Sequence, residues 1–141
     1  MKTTAIRTLE FDAGHRLVNH ESKCAHCHGH RYKAEVTCEA DTLDSIGRVI
    51  DFSAIKAALG SWIDTHWDHA MVVNETDRDL LDYLRLTKQR HYVMATNPTA
   101  ENMAEHLMVI GNQLLLTSSI RIVKIKLWET PNCYVEVTCE N

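Results

Sequence analysis

The chain has 141 residues, 45% of them hydrophobic and 24% charged, which is enough for one domain with its own core and too few for two of ordinary size. Nineteen acidic against fifteen basic residues give a formal charge of -4, which argues against a general nucleic-acid binder or a polybasic membrane surface. The N-terminus, Met1-Lys2-Thr3-Thr4, runs straight into alternating sequence without an apolar leader, so the reading is one cytoplasmic domain over residues 1–141, with no membrane and no nucleic-acid partner.

Residues 4–11 alternate, with Ala5, Arg7, Leu9 and Phe11 on one face, as a half-buried strand does. Residues 32–39 repeat the pattern through Tyr32, Ala34, Val36 and Cys38. The period then becomes helical: Ile55, Ala58, Leu59, Trp62, Ile63 and His66 share a stripe, with Asp51 or Ser53 as N-cap. Residues 77–94 have no clean period beyond a short helix at 78–86 and read as an insertion. A second stripe, Ala100, Met103, Ala104, Leu107, Met108 and Gly111, opens with Asn97 as N-cap and Pro98 at the first helical position. Arg121, Val123, Ile125 and Leu127 line a third strand, Pro131-Asn132 turns the chain, and Cys133, Val135, Val137 and Cys139 make a fourth. This order predicts an α+β domain, an antiparallel four-stranded sheet in order ββααββ with two helices on one face and open outer edges.

Five of the nine histidines, His15, His20, His26, His28 and His30, fall in one short stretch that also holds Cys24 and Cys27. Residues two apart on an extended chain share a face, so His28 and His30 can point at one metal, and a hairpin brings His15 alongside them. Three neutral imidazoles around Zn²⁺ leave a coordination position open, which is how catalytic zinc is built. The competing, non-enzymatic reading is a structural zinc module closed by Cys24, Cys27, His28 and His30. Against it, Cys27 and His28 are adjacent and point to opposite faces of a strand. Cys38, Cys133 and Cys139 read as small core residues. Lys23, Arg16 and Arg31 are nearby cations for a phosphorylated ligand.

Phe11-Asp12-Ala13-Gly14-His15-Arg16-Leu17, Cys24-x-x-x-His28-Gly29-His30, Ile50-Asp51-Phe52, Asp68-His69, Asn97-Pro98-Thr99-Ala100-Glu101-Asn102 and Trp128-Glu129-Thr130 span nearly the whole chain. In this order they resemble the 6-pyruvoyl-tetrahydropterin synthase family. The gap between Cys24 and His28 looks like its bacterial branch, the 6-carboxy-5,6,7,8-tetrahydropterin synthases of queuosine (7-deazaguanine) biosynthesis. The resemblance implies the tunnelling fold (T-fold), whose subunits join sheet edges in rings, here a homo-hexamer made as a dimer of trimers. It implies Zn²⁺ on His15, His28 and His30, Cys24 as proton-transfer thiol, Asp68 and His69 as a catalytic pair, Glu129 as the carboxylate that grips the pterin, and Thr99 and Glu101 as pocket-lining residues.

The implied reaction is a lyase step that converts 7,8-dihydroneopterin triphosphate to 6-carboxy-5,6,7,8-tetrahydropterin with loss of acetaldehyde and triphosphate. The runner-up activity eliminates triphosphate and keeps every side-chain carbon. The chain departs from the family pattern at Cys27, at the placing of Asn74, and in the insertion at 77–94.

Overall fold

The computed structural model describes residues 1–115 and 119–139. In chain order its elements are β1 (Thr4–His15), β2 (His28–Ala40), α1 (Phe52–Ile55), α2 (Ser61–His66), β3 (Ala70–Asn74), α3 (Arg78–Leu86), β4 (His91–Met94), α4 (Ala100–Leu114), β5 (Ile120–Thr130) and β6 (Cys133–Thr138). A 3₁₀ turn, Lys23–Ala25, lies between β1 and β2, and a π-helical turn, Lys56–Gly60, joins α1 to α2.

The alternation read in the first hairpin holds: Ala5, Leu9, Phe11 and Ala13 of β1 and Tyr32, Ala34, Val36 and Cys38 of β2 are buried. Against this face pack Ile55, Leu59, Ile63 and Trp67 from the first helical segment and Met103, Ala104 and Leu107 from α4. Contact between α4 and the sheet is close enough that a Cβ on Gly111 would overlap Ile122 Cδ1. Among the described residues no helix is long and apolar enough to cross a membrane.

The four-stranded ββααββ sheet is corrected to six strands, in order β4-β3-β1-β2-β5-β6. The two additional strands are parallel to β1: β3 pairs with it through Ala13↔Ala70 to His15↔Val72, and β4 pairs with β3. Val72 enters the main core while Val73 packs with Leu80, Leu81 and Leu84 of α3. Neighbouring strand residues point to opposite faces, so α3 covers the face of β3 that α1, α2 and α4 do not. With both faces covered, β3 shows no alternation, which is why periodicity passed over it. The expected insertion is therefore helix α3, at the predicted bounds, followed by strand β4.

Three local expectations also change. Thr99, not Asn97, caps α4, its Oγ1 accepting from the Asn102 N–H at 3.1 Å. In β5 the buried residues are Ile122, Ile125 and Leu127, because a bulge separates the pairs Thr37↔Lys124 and Cys38↔Ile122 and takes Val123 out of register. Of the three cysteines read as core, only Cys38 is buried; Cys133 and Cys139 are exposed. Asp51 caps α1 as expected, accepting from the Ser53 N–H at 2.9 Å.

Candidate active site

The register of the first hairpin builds the centre of the site. His15 pairs directly with His28, and Ala13 with His30, so His30 lies diagonally across from His15 on the same face. Gly14 and Gly29 pair between them. A Cβ on Gly14 would come 3.0 Å from Met71 Cε and 3.2 Å from the His28 carbonyl, so the backbones beside the histidines approach too closely for a side chain without displacement.

One ring nitrogen from each of His15, His28 and His30 lies within 4.8 Å of the others. His15 Nδ1 donates to the Pro98 carbonyl at 2.6 Å and His28 Nδ1 to the His26 carbonyl at 2.7 Å. With the protons fixed on Nδ1, both Nε2 atoms carry bare lone pairs, and these face each other at 3.0 Å. His30 Nε2 is buried without a hydrogen-bond partner, with Glu129 Oε1 at 3.5 Å. Burial lowers the pKa of His15 and of His30, the latter against the opposing pull of Glu129, so both are held in the neutral form a ligand requires. Converging lone pairs and an orphaned nitrogen are destabilising alone and are satisfied together by a cation, so the donor set fits a metal ion with three imidazole ligands.

A second cluster lies one strand away. His69 Nδ1 is 3.0 Å from Asp68 Oδ2, and Asp68 Oδ1 accepts the Asp12 N–H at 2.9 Å. Burial raises the Asp68 pKa, but the hydrogen bonds from Asp12 and His69 outweigh it and keep the carboxylate below its ordinary range. His69 has φ +58, the left-handed region that few non-glycine residues adopt, while its N–H donates to the Asp12 carbonyl at 2.6 Å. The side chain is mostly exposed, facing a cleft of about 840 Å³ that His30, Arg31 and Tyr83 also line. A second concavity of about 450 Å³ lies on the other side of Gly29, His30 and Arg31, with Trp128 and Glu129 in its wall. Of the three histidines, His30 lines both clefts, while His15 is buried behind it.

The chain matches the model of the family described as 6-pyruvoyl tetrahydropterin synthase over residues 4–140. It is 43% identical over 133 residues to a 6-carboxy-5,6,7,8-tetrahydropterin synthase of Rickettsia conorii, covering 93% of this chain and 96% of that one. It is 31% identical to the protein of the same name in Haemophilus influenzae, covering 92% and 94%. The chain belongs to the 6-pyruvoyl tetrahydropterin synthase family. The fold agrees: an uncharacterized protein from Wolinella succinogenes superimposes with a TM-score of 0.89 at 20% identity, each chain 99% covered. The 6-pyruvoyl tetrahydropterin synthase of Caenorhabditis elegans does so at 0.72 and 22% identity, with 99% and 97% covered.

Not every residue matched to the family motifs meets the histidines. Cys24, on the 3₁₀ turn, and exposed Cys27 are both outside the three-histidine group, so the closed four-ligand module is not assembled. The Cys24 turn is nonetheless tied to the end of β1 by the Leu17 N–H, which donates to the Cys24 carbonyl at 2.8 Å. Burial, with the charges of Glu129 and Cys24, pushes up the pKa of the Tyr32 hydroxyl. Thr99 is occupied as a helix cap, and exposed Glu101 follows it on the first turn of α4; neither lines the two clefts. Arg16 is held by Asp77 in a two-point pair, while Arg31, exposed and bound to Asp12 through one guanidinium nitrogen, lines both clefts.

Sequence reasoning missed the Pro98 carbonyl, the hydrogen-bond partner of His15, because a main-chain oxygen leaves no side-chain signal. It also missed Asp12, which tethers Asp68 and Arg31 and was visible only as part of the segment around His15.

Proposed function

We propose that this family member is a zinc-dependent 6-carboxy-5,6,7,8-tetrahydropterin synthase, a cytoplasmic lyase of queuosine biosynthesis acting on 7,8-dihydroneopterin triphosphate, with residues 1–141 forming one domain. The observation that carries the reading is the convergence of three imidazoles, one of which, His30, lines both clefts, with Cys24 four residues before His28. The name borne by the relatives at 43% and 31% identity supports the carboxy-forming branch.

His15, His28 and His30 would hold the ion through the ring nitrogens left bare by their other contacts. When bound, zinc supplies a cationic centre with an open position, which polarises hydroxyl groups on the substrate side chain and lowers their pKa. Cys24 exchanges a proton with the adjacent side-chain carbon. His69, oriented through Nδ1 by Asp68, presents its other ring nitrogen to the cleft as a second acid/base. Glu129 accepts hydrogen bonds from the N–H edge of the pterin ring, and Thr99 and Glu101 contribute to the pocket after assembly.

Assembly follows from the edges. Only Ala13, Gly14 and His15 of β1 pair with β3, which leaves the outer edge of the strand before them without a strand partner among the described residues; β6 ends the sheet on the other side. Pairing of these edges between copies, repeated round a three-fold axis, makes a trimer, and two trimers stacked make the homo-hexamer.

Incubation of the zinc-loaded protein with 7,8-dihydroneopterin triphosphate tests the reaction. The expected products are acetaldehyde and 6-carboxytetrahydropterin in equal amounts. A product that keeps all three side-chain carbons would assign the runner-up activity, triphosphate elimination alone.

A further inference from the structure

The hydrogen bond that fixes His15 crosses from the end of β1 to the loop before α4, and a carbonyl in a loop is only as well placed as the loop itself. Four contacts converge on the residue before Pro98. Asn97 Oδ1 accepts from the Val18 N–H at 3.0 Å and from Asn74 Nδ2 at 3.1 Å. Its Nδ2 donates to the Val18 carbonyl at 2.9 Å, and its own backbone carbonyl accepts from Asn102 Nδ2 at 2.9 Å. The amide therefore pairs with both backbone groups of Val18 as a neighbouring strand would.

Val18 is three residues beyond His15, and Pro98 is the residue after Asn97. The contacts close a circuit: His15 to the Pro98 carbonyl, Pro98 to Asn97 along the chain, Asn97 to Val18 through its side chain, and Val18 back to His15. The fixed φ of proline removes one of the few rotations that would let the carbonyl drift. We propose that Asn97 is a positioning residue for the three-histidine group, acting on His15 through the Pro98 carbonyl. The inference rests on reading that group as a metal site.

The chemistry selects asparagine. The position needs an acceptor for two N–H groups and a donor for one carbonyl, which a carboxylate cannot supply. Asn74 is 8% exposed, and its own Oδ1 already accepts from the Thr76 N–H and hydroxyl, so its Nδ2 is turned toward Asn97 and fixes which end of that amide is oxygen. The output of the circuit is a tautomer. With the carbonyl in place the His15 proton stays on Nδ1 and Nε2 is free; without it Nδ1 keeps only the Tyr32 hydroxyl at 3.3 Å, which can donate as well as accept and so does not fix the proton there.

The fold contains its own control. Asn112 makes the same two-point pairing with a backbone, accepting from the Ile122 N–H at 2.8 Å and donating to the Ile122 carbonyl at 3.1 Å. Ile122 pairs with Cys38, roughly 30 Å along β2 from His28. Asn97→Asp and Asn112→Asp therefore remove the same bond, one beside the site and one far from it.

Zinc affinity by chelator competition, and the visible absorption of the cobalt-substituted protein, read the site without turnover. The wild type is expected to bind one zinc per chain. Asn97→Asp should weaken zinc binding by about 10- to 100-fold and alter the cobalt bands, whereas Asn112→Asp should lower the melting temperature of the metal-free chain and leave both metal readouts unchanged. Should Asn97→Asp yield no folded chain by circular dichroism, Asn97→Ser, which is too short to reach Val18, takes the same measurements with the same expectation. Wild-type zinc binding with an unaltered, folded Asn97 variant overturns the inference alone. A wild-type chain that takes up no zinc overturns the metal reading and the inference together.

Discussion

Arg16 and Asp77 form a two-point ion pair, Nε to Oδ2 at 2.6 Å and a terminal guanidinium nitrogen to Oδ1 at 2.5 Å, that fastens the residue after His15 to the start of α3. The Asp77 side chain is only 6% exposed, so the pair is shielded on that side. The hydrogen bond from Arg16 holds the Asp77 carboxyl below its ordinary 3.8. A carboxyl with a lowered folded-state pKa contributes stability that is fully present above the unfolded value and disappears as pH falls through the folded one.

Asp77→Asn in the metal-free chain should therefore cost about 1–3 kcal/mol near neutral pH. The gap from wild type should close progressively below pH 3.8. Urea unfolding of both chains across this range checks it; a gap independent of pH would mean that the side chain acts by packing and not by charge.

The metal readout separates the two zinc readings. His28→Ala and His30→Ala should abolish zinc retention after gel filtration, while Cys24→Ala and Cys27→Ala should retain nearly one zinc per chain. Equal loss in the two cysteine variants would restore the closed four-ligand module. Chelation should leave most of the helical circular dichroism in place, because the core between the helices and the sheet is built from apolar side chains and not from the histidines.

The two neighbouring thiols should differ in kinetics. Removing a positioned acid/base typically slows turnover by about 10²- to 10⁴-fold, and this is the loss expected for Cys24→Ala. Cys27→Ala should be far milder. A large loss confined to Cys27→Ala would transfer the proton-transfer role to that thiol.

Light scattering at micromolar concentration should give a mass about six times the 16.1 kDa of the chain. A stable monomer that still turns over the triphosphate substrate would contradict both the ring and a pocket completed by a second copy.

The first hairpin and the histidine group were legible in sequence for a single reason. Alternation fixes which residues share a face, and a hairpin fixes which residues meet across it, so His15, His28 and His30 follow from parity and pairing together. The same reasoning fails where a strand is covered on both sides, as at Val72 and Val73, or where one residue is left out of the ladder, as at Val123. It also misreads a residue whose side chain has two suitable uses. Asn97 and Thr99 both satisfy the chemistry of an N-cap, and only tertiary contact with Val18 and Asn74 decides that the asparagine is needed elsewhere. The meeting of Asp68, His69 and Asp12 depends on β3 lying beside β1, a parallel contact three residues long that local sequence does not encode.

The displaced Val123 divides β5 into two stretches that are indexed separately against β2. Beyond it, Ile125 and Leu127 keep step with Val36 and Ala34 and carry Glu129 to His30; before it, Ile122 is seated by Asn112 and Cys38. A residue gained or lost at the bulge itself would change the parity of everything that follows it in the strand. One unpaired residue therefore decides whether Glu129 emerges on the face that holds His30 or on the opposite one.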